Sequence, residues 1–277
     1  MEAPTTPIGK ILLKENPNYL VSIEEGVFRY FEPQFLTQLD HYLKCFEEFN
    51  AAYLGVQVDP EIMPDLPFSL NDRTWKERQK DLVLIREELK TNSEILEIGS
   101  WNGWLANALS REGHSVTAVD YFLDDLNGLK ARKHYPESVW TSLNIDVDDI
   151  DLLNPVFDVI IFNRGVSYYS DFEGVITKAK NLLVDNGKII ITGLNVVGDN
   201  EDANIFYDQT NDVFKEQYGI SMEIKPDSKK MLCDEDLTFL RSIGFVVNSN
   251  EIGLEHAFKK YISKKRSRSY TAIYTKA

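Results

Sequence analysis

Four residues carry the chemical signal of this chain: Glu97, Gly99, Gly103 and Asp120. Glu97 stands in a short apolar run, Ile95 to Ile98, and the turn Gly99-Ser100-Trp101-Asn102-Gly103 follows it. Asp120 closes a second apolar run, Val116 to Val119, 21 residues after Gly99. An acid at the end of an apolar strand requires a partner, because a buried carboxylate without one is costly. A glycine turn that opens a helix offers backbone N–H groups where the helix dipole favours negative charge. Together they suit a ligand with an amino end, a carboxylate end and a ribose whose hydroxyls Asp120 accepts. A dinucleotide fits less well. Its pyrophosphate calls for G-x-G-x-x-G, and Trp101 and Trp104 stand where the second and third glycines belong.

The elements that must position these residues are legible around them. A strand to Ile98, the glycine turn, a helix from Trp104 to Arg111, a stop at Gly113 and a strand to Val119 make a nucleotide-binding βαβ unit. The pattern predicts a helix over Tyr121 to His134 and a third strand over Val139 to Ile145, which leads into Asp146 and the acidic turn Asp148-Asp149. A fourth strand, Phe157 to Phe162, runs into Asn163-Arg164-Gly165, at the carboxyl edge where ligands of α/β sheets sit. Tyr168 and Tyr169 follow as residues that line an acceptor site or cover the sheet edge. A helix over Asp171 to Val184 and a fifth strand over Lys188 to Gly193 complete an alternation that predicts a parallel sheet with helices on both faces. The segment at about 195–232 is polar and acidic and reads as an insertion of one or two helices, with aromatics at Phe206, Tyr207, Phe214 and Tyr218. A helix from Asp234, a strand over Phe245 to Val247 and a last strand over Tyr270 to Thr275 follow, the final two strands being compatible with an antiparallel pair.

Ahead of the unit, a helix over Trp75 to Lys90 is opened by Asp72 or Thr74 and carries Trp75 and Arg78 on one face. Residues 1–70 hold seven of the ten prolines and are expected to form an extension to the domain at 71–277. Tyr19 to Ile23 and Gly26 to Phe31 read as a small hairpin, Gln34 to Phe49 as a helix with an aromatic stripe, and Asp59 to Phe68 as a linker or wrapping loop. The stripe reads as core, with cover for the mouth of the domain as the functional alternative.

Composition narrows the partners. A formal charge of −14 disfavours a nucleic-acid backbone or an anionic membrane surface, since both need a cationic footprint. No apolar run is long enough to span a bilayer, the first residues carry no apolar signal core, and Cys45 and Cys233 stand alone, so a cytoplasmic protein is expected. His41, His114, His134 and His256 show no metal-ligand spacing, and no metal is expected. The basic run Lys259, Lys260, Lys264, Lys265, Arg266 and Arg268 reads as a solvated loop, or as an anchor for an anionic substrate.

The chain from 71 to 277 resembles the class I S-adenosylmethionine-dependent methyltransferases. Glu97-Ile98-Gly99-Ser100-Trp101-Asn102-Gly103 is similar to their first motif, and Val119-Asp120 to the acid that ends their second strand. Asn144-Ile145-Asp146 matches the place where an acid or amide reads the adenine amino group. Leu182-Leu183-Val184-Asp185-Asn186-Gly187-Lys188 is similar to the L-x-P-G-G that leads into strand five. Asn102-Gly103-Trp104-Leu105, Arg111-Glu112-Gly113-His114 and His134-Tyr135 resemble a bacterial subgroup, some of whose members carry a zinc-ribbon-like unit; its cysteines are absent here, and no zinc is expected. The resemblance implies a Rossmann-like seven-stranded α/β sheet, mostly parallel with a C-terminal antiparallel pair. It implies S-adenosylmethionine as cofactor and methyl transfer to a small-molecule acceptor. It also implies cofactor contacts at Glu97, Gly99, Ser100, Trp101, Asn102, Gly103, Asp120, Tyr121, Asp146, Val147, Asn163 and Arg164, with Arg78, Tyr168 and Tyr169 toward the substrate or the cofactor carboxylate. One position departs from the pattern: Trp101 stands where the family has glycine or another small residue. A ring turned inward crowds the cofactor, and one turned outward caps the site. A fold-retaining binding protein is the first alternative, and an NAD(P)-dependent oxidoreductase the second.

Overall fold

A computed structural model describes residues 5–8, 11–14, 16, 18–54, 58–135, 139–154, 156–196, 201–225, 232–250 and 268–277. β1 (Thr5–Ile8) and β2 (Ile11–Lys14) form a small antiparallel pair. All other described strands join one sheet. Its middle is β5 (Glu94–Ile98), with β6 (Ser115–Val119) and β7 (Thr141–Ile145) stacked in order on one side. On the other side of β5 lie β8 (Phe157–Asn163) and β9 (Leu183–Val196), also parallel. β11 (Arg268–Thr275) pairs antiparallel with β9, and β10 (Val246–Ser249) pairs antiparallel with β11 at that edge. These seven strands are the mostly parallel α/β sheet with an antiparallel C-terminal pair that the sequence led us to expect.

Two further strands extend it. β3 (Leu20–Glu24) and β4 (Val27–Phe31) form the hairpin read from the N-terminal segment, and β4 runs parallel to β7, with Phe28 opposite Leu143. The sheet therefore has nine strands rather than seven. An uncovered edge at β7 would leave a row of unpaired backbone groups, and the hairpin fills it. Arg29 fastens the joint: its guanidinium donates to Asn144 at 3.0 Å on β7, to Glu24 at 3.0 Å and to Asp40 at 2.5 Å.

The sheet's parallel strands are apolar on both faces because helices cover both. α1 (Pro33–Phe49), α2 (Arg73–Glu88) and α3 (Trp104–Arg111) bury Leu39, Leu43, Leu82, Ile85, Leu105 and Leu109 on one face. α4 (Phe172–Asn181) and α6 (Asp234–Ser242) bury Val175, Ile176, Ala179, Leu237 and Leu240 on the other. Asp72 caps α2 by accepting from the Trp75 N–H at 3.0 Å. The segment at 59–68 holds a short 3-10 turn, Pro60–Asp65, on the side of α2 and α3.

The helix expected over Tyr121 to His134 does not form. Only Leu129–His134 winds, as a 3-10 turn. The reason is local competition: the Asp124 carboxylate accepts from the N–H groups of Leu126 (2.7 Å) and Asn127 (2.6 Å), a side-chain turn that replaces the helical ladder. α5 (Glu201–Tyr218) is the helix of the insertion, and its Phe214 packs on Phe49 (5.1 Å between ring centroids) and Phe46 (6.4 Å) of α1. The side chains of Phe206 and Tyr207, and the basic residues Lys259 to Arg266, lie outside the described residues. Arg268 opens β11 and pairs with Asp234 at 2.7 Å.

Phe214 is fully buried at the meeting of α1 and α5. Phe214→Ala should lower unfolding free energy by about 3–5 kcal/mol in denaturant titration. A loss below about 1 kcal/mol would mean that the two helices are not joined there.

Candidate functional site

Strand order reverses at β5: the chain steps from it toward β6 and β7 in one direction and lies beside β8 in the other. Crevices at such switch points, at the carboxyl ends of the strands, are where ligands bind in open α/β sheets. Glu97 lies at this end of β5 and is fully buried, and the turn after it is held by its neighbours. The N–H groups of Gly99 and Ser100 donate to the Val119 carbonyl at 2.9 and 3.1 Å, and Gly103 to Ser100 at 2.9 Å. Gly99 and Gly103 are left-handed, at φ of 78° and 77°. A Cβ on Gly99 would stand 2.8 Å from the Tyr169 hydroxyl, and one on Gly103 would stand 2.9 Å from the Trp140 ring. Both glycines are thus required twice over, by conformation and by space.

Asp120 closes the turn from the other side. One carboxylate oxygen accepts from the Trp101 N–H at 2.6 Å and the other from Phe122 at 2.9 Å. Asn144, on β7, donates from its amide to the carbonyls of Asp120 (2.8 Å) and Tyr121 (3.0 Å). Burial raises the Asp120 carboxyl to about 6, and raises Glu97 well above the usual carboxylate range, with the charge of Asp120 adding to the effect on Glu97. Among the described residues no cation forms an ion pair with either acid.

Several buried polar atoms around the turn have no hydrogen-bond partner: Glu97 Oε2, Ser100 Oγ, Asn102 Nδ2, Tyr135 Oη and Tyr169 Oη, with Arg78 Nε. Folded proteins leave few such atoms, and a cluster of them at a switch point marks a place built for a ligand. Tyr169 is buried between Gly99 and Gly165, and its phenol is raised by burial and by Asp120 and Glu97.

Asp146 and Val147 begin a short turn after β7, where Asp146 accepts from the Asp148 N–H at 2.9 Å. The Tyr121 hydroxyl bonds the same carboxylate, and Lys225 pairs with it at 2.6 Å. Tyr121 also meets Phe35 of α1, 6.3 Å between ring centroids. The structure thus brings Glu97, Gly99, Ser100, Trp101, Asn102, Gly103, Asp120 and Tyr169 together at the turn. Tyr121, Asp146 and Val147 form a second group beside it, under α1 and Lys225.

Asn163 and Arg164 turn to a third partner. Asn163 donates to Asp81 (3.1 Å) and Thr192 (2.7 Å), and Arg164 donates to Asp81 at 2.5 Å. The Trp101 ring stacks on Trp75 of α2, with centroids 6.0 Å apart and planes at 25°, and Arg78 lies over both. Tyr168 is exposed. Sequence reasoning missed Asp81 and Lys225. An acid next to Leu82, on the apolar face of α2, was a readable sign for Asp81; nothing in the sequence around Lys225 pointed to the site.

An open groove of about 440 Å³ lies elsewhere, between α3 and residues 64–69, lined by Pro64, Phe68, Asn107, Arg111 and Glu112 among others. It contains none of the orphaned atoms and is not the site. Among the described residues no group of three His, Cys, Asp or Glu side chains is placed to hold a metal ion, and no helix is long and apolar enough to cross a membrane.

Residues 72–209 match a family described as a methyltransferase domain. The fold is similar to that of phosphoethanolamine N-methyltransferase 2 from Haemonchus contortus in complex with S-adenosyl-L-methionine, at 15% identity and a TM-score of 0.51. The same enzyme with phosphomonomethylethanolamine and S-adenosylhomocysteine matches at 14% and 0.50. Each match covers 71% of this chain and 52% of the other, so the chain spans about half the length of those structures. No curated protein matches the sequence.

The raised Asp120 carboxyl has a measurable consequence. Its contribution to stability is full below the ordinary value of 3.8 and is lost as pH rises through about 6. Thermal melts between pH 4 and pH 7 should therefore fall less steeply for Asp120→Asn than for the wild type. Parallel profiles would show that Asp120 ionises in the fold without cost.

Proposed function

We propose, for a chain whose residues 72–209 match a methyltransferase-domain family, that the site at the end of β5 binds S-adenosylmethionine and directs its methyl group to a small-molecule acceptor. The observation that carries this reading is the pair of acids, the buried Glu97 and the half-buried Asp120, without a described protein cation between them. A ligand with an ammonium group and a ribose answers both. The orphaned Glu97 Oε2 takes the ammonium, and the N–H groups of the turn and the start of α3 take the carboxylate. The Asp120 oxygens accept from the N–H groups of Trp101 and Phe122 and have further lone pairs to offer a ribose hydroxyl. Tyr121, Asp146 and Val147 flank the base, and Lys225 gives up or shares Asp146 when the base arrives.

The cofactor, when bound, supplies an activated methyl group on a sulfonium, so the protein need contribute neither a nucleophile nor a metal. What these residues do is hold the donor, orient the acceptor and exclude water. The Trp101 ring is drawn onto Trp75, while its N–H serves Asp120. A bulky residue at the glycine position is thereby accommodated.

Isothermal titration with S-adenosylhomocysteine tests the reading. Wild-type protein should bind, and Asp120→Ala should weaken binding by about 1–3 kcal/mol, the loss of a hydrogen bond to a charged group. Absence of binding by the wild type would refute the function; equal affinity in the variant would refute the ribose contact.

A further inference from the structure

We propose that Arg78 anchors an oxyanion, a carboxylate or phosphate, carried by the methyl acceptor. The proposal rests on the methyltransferase reading for the word acceptor, and on geometry for the anion.

Arg78 sits on α2 with its guanidinium 5.0 Å from the centre of the Trp75 ring and 5.3 Å from that of Trp101. The two rings stack on each other and form a platform for its plane. The hydrogen bond it makes is long, from Nη1 to the Thr74 carbonyl at 3.5 Å. Its Nε is buried with no partner, and among the described residues no carboxylate lies within ion-pair distance of it. Asp81, a nearby acid, is held by Arg164 and Asn163. Burial and the positive charge of Arg164 bring the Arg78 guanidinium down to about 10. Arg29, a more deeply buried guanidinium, shows the contrast: it has Asn144, Glu24 and Asp40 on its nitrogens. A cation taken out of water without an anion is unfavourable, and aromatic faces offset only part of that cost. A guanidinium fork left open in this way matches the two oxygens of a carboxylate or phosphate.

The placement assigns the anion to the acceptor. Trp101 stands between the two regions, with its N–H on Asp120 and its ring beneath Arg78. Arg78 therefore meets the Trp101 ring where Asp120 holds the Trp101 backbone, and it lies in the electrostatic field of Arg164, Asp81, Asp72 and the exposed Tyr168. Trp101 and Arg164 hold left-handed backbones, at φ of 52° and 61°, although neither is glycine. Strain of this kind at non-glycine residues clusters where side chains must be aimed. In a chain of formal charge −14, a half-buried guanidinium with no carboxylate on it among the described residues is also a local attraction for an anion that the rest of the surface repels.

Trp75 and Trp101 are two of the four tryptophans, so intrinsic fluorescence reports on the platform. Inorganic phosphate and malonate should each change it saturably in the full-length wild type, both alone and with S-adenosylhomocysteine saturating. Arg78→Met should raise the midpoint at least tenfold, and Arg78→Lys should restore part of the response. Affinity for S-adenosylhomocysteine should be unchanged in both variants. The proposal is overturned if wild type and Arg78→Met respond alike, or if neither anion gives a saturable change. It is equally overturned if Arg78→Met weakens S-adenosylhomocysteine tenfold and leaves methylthioadenosine, which lacks the carboxylate, unaffected; Arg78 then serves the cofactor. Should Arg78→Met melt before assay temperature, the Arg78→Lys comparison decides by the same criteria. Failure of the wild type to bind S-adenosylhomocysteine would refute the methyltransferase reading instead, and the phosphate titration on the protein alone would still decide whether Arg78 binds an anion.

Discussion

Two carboxyls, the buried Glu97 and the half-buried Asp120, meet at the carboxyl end of a parallel sheet with no cation from the described chain against them. Much of the surrounding structure follows from tolerating that arrangement. Glu97 lies on a strand buried on both faces, so its carboxyl cannot reach water by turning over. The turn between the two acids must be glycine at Gly99 and Gly103 because Tyr169 and Trp140 close on the space a side chain would need. Backbone N–H groups of Trp101 and Phe122 support Asp120, and the Ala106 N–H favours the charged form of Glu97, but among the described residues no cation pairs with either acid. A site of this kind is less stable without its ligand than with it, which is the usual relation between buried polar groups and function.

The N-terminal segment and the insertion belong to the same arrangement. The hairpin fills the edge of β7, and α1 then crosses to the mouth of the sheet, where Phe35 meets Tyr121 and Phe46 meets Phe122 at 5.1 Å. The Tyr42 hydroxyl donates to the Met222 carbonyl at 2.9 Å, and Asn211 of α5 accepts from the Met222 N–H at 2.8 Å. Those bonds set the chain that brings Lys225 onto Asp146 and Asp148. Cover for the second group of site residues thus comes from two stretches distant in sequence, fixed to each other as well as to the sheet.

The part legible in the sequence was the part governed by local pattern. The run to Ile98, the spacing of Gly99 and Gly103 and the acid after Val119 were sufficient to place β5, α3 and β6 and to bring their residues to one site. Patterns that depend on a distant partner were not legible. Nothing in Val27 to Phe31 says that it will pair with Thr141 to Ile145, so the sheet was read as seven strands. The apolar positions between Tyr121 and His134 suggested a helix, yet Asp124 bonds the next turn through its side chain. Trp101 was ambiguous from sequence alone, because the Trp75 ring that receives it stands 26 positions earlier. Asp81 and Lys225 show the same limit: their roles arise from which loops the fold brings beside them.

The central claim is that Glu97 awaits a cationic ligand, and the Glu97 carboxyl itself reports on it. Carboxyl-carbon NMR across pH should find it protonated well above the ordinary carboxylate range in the free protein. Saturating S-adenosylhomocysteine should lower its pKa, since the ligand ammonium favours the charged form, whereas methylthioadenosine, which lacks that ammonium, should not. A Glu97 pKa identical in the free and S-adenosylhomocysteine-saturated protein, or ordinary in both, would contradict the account.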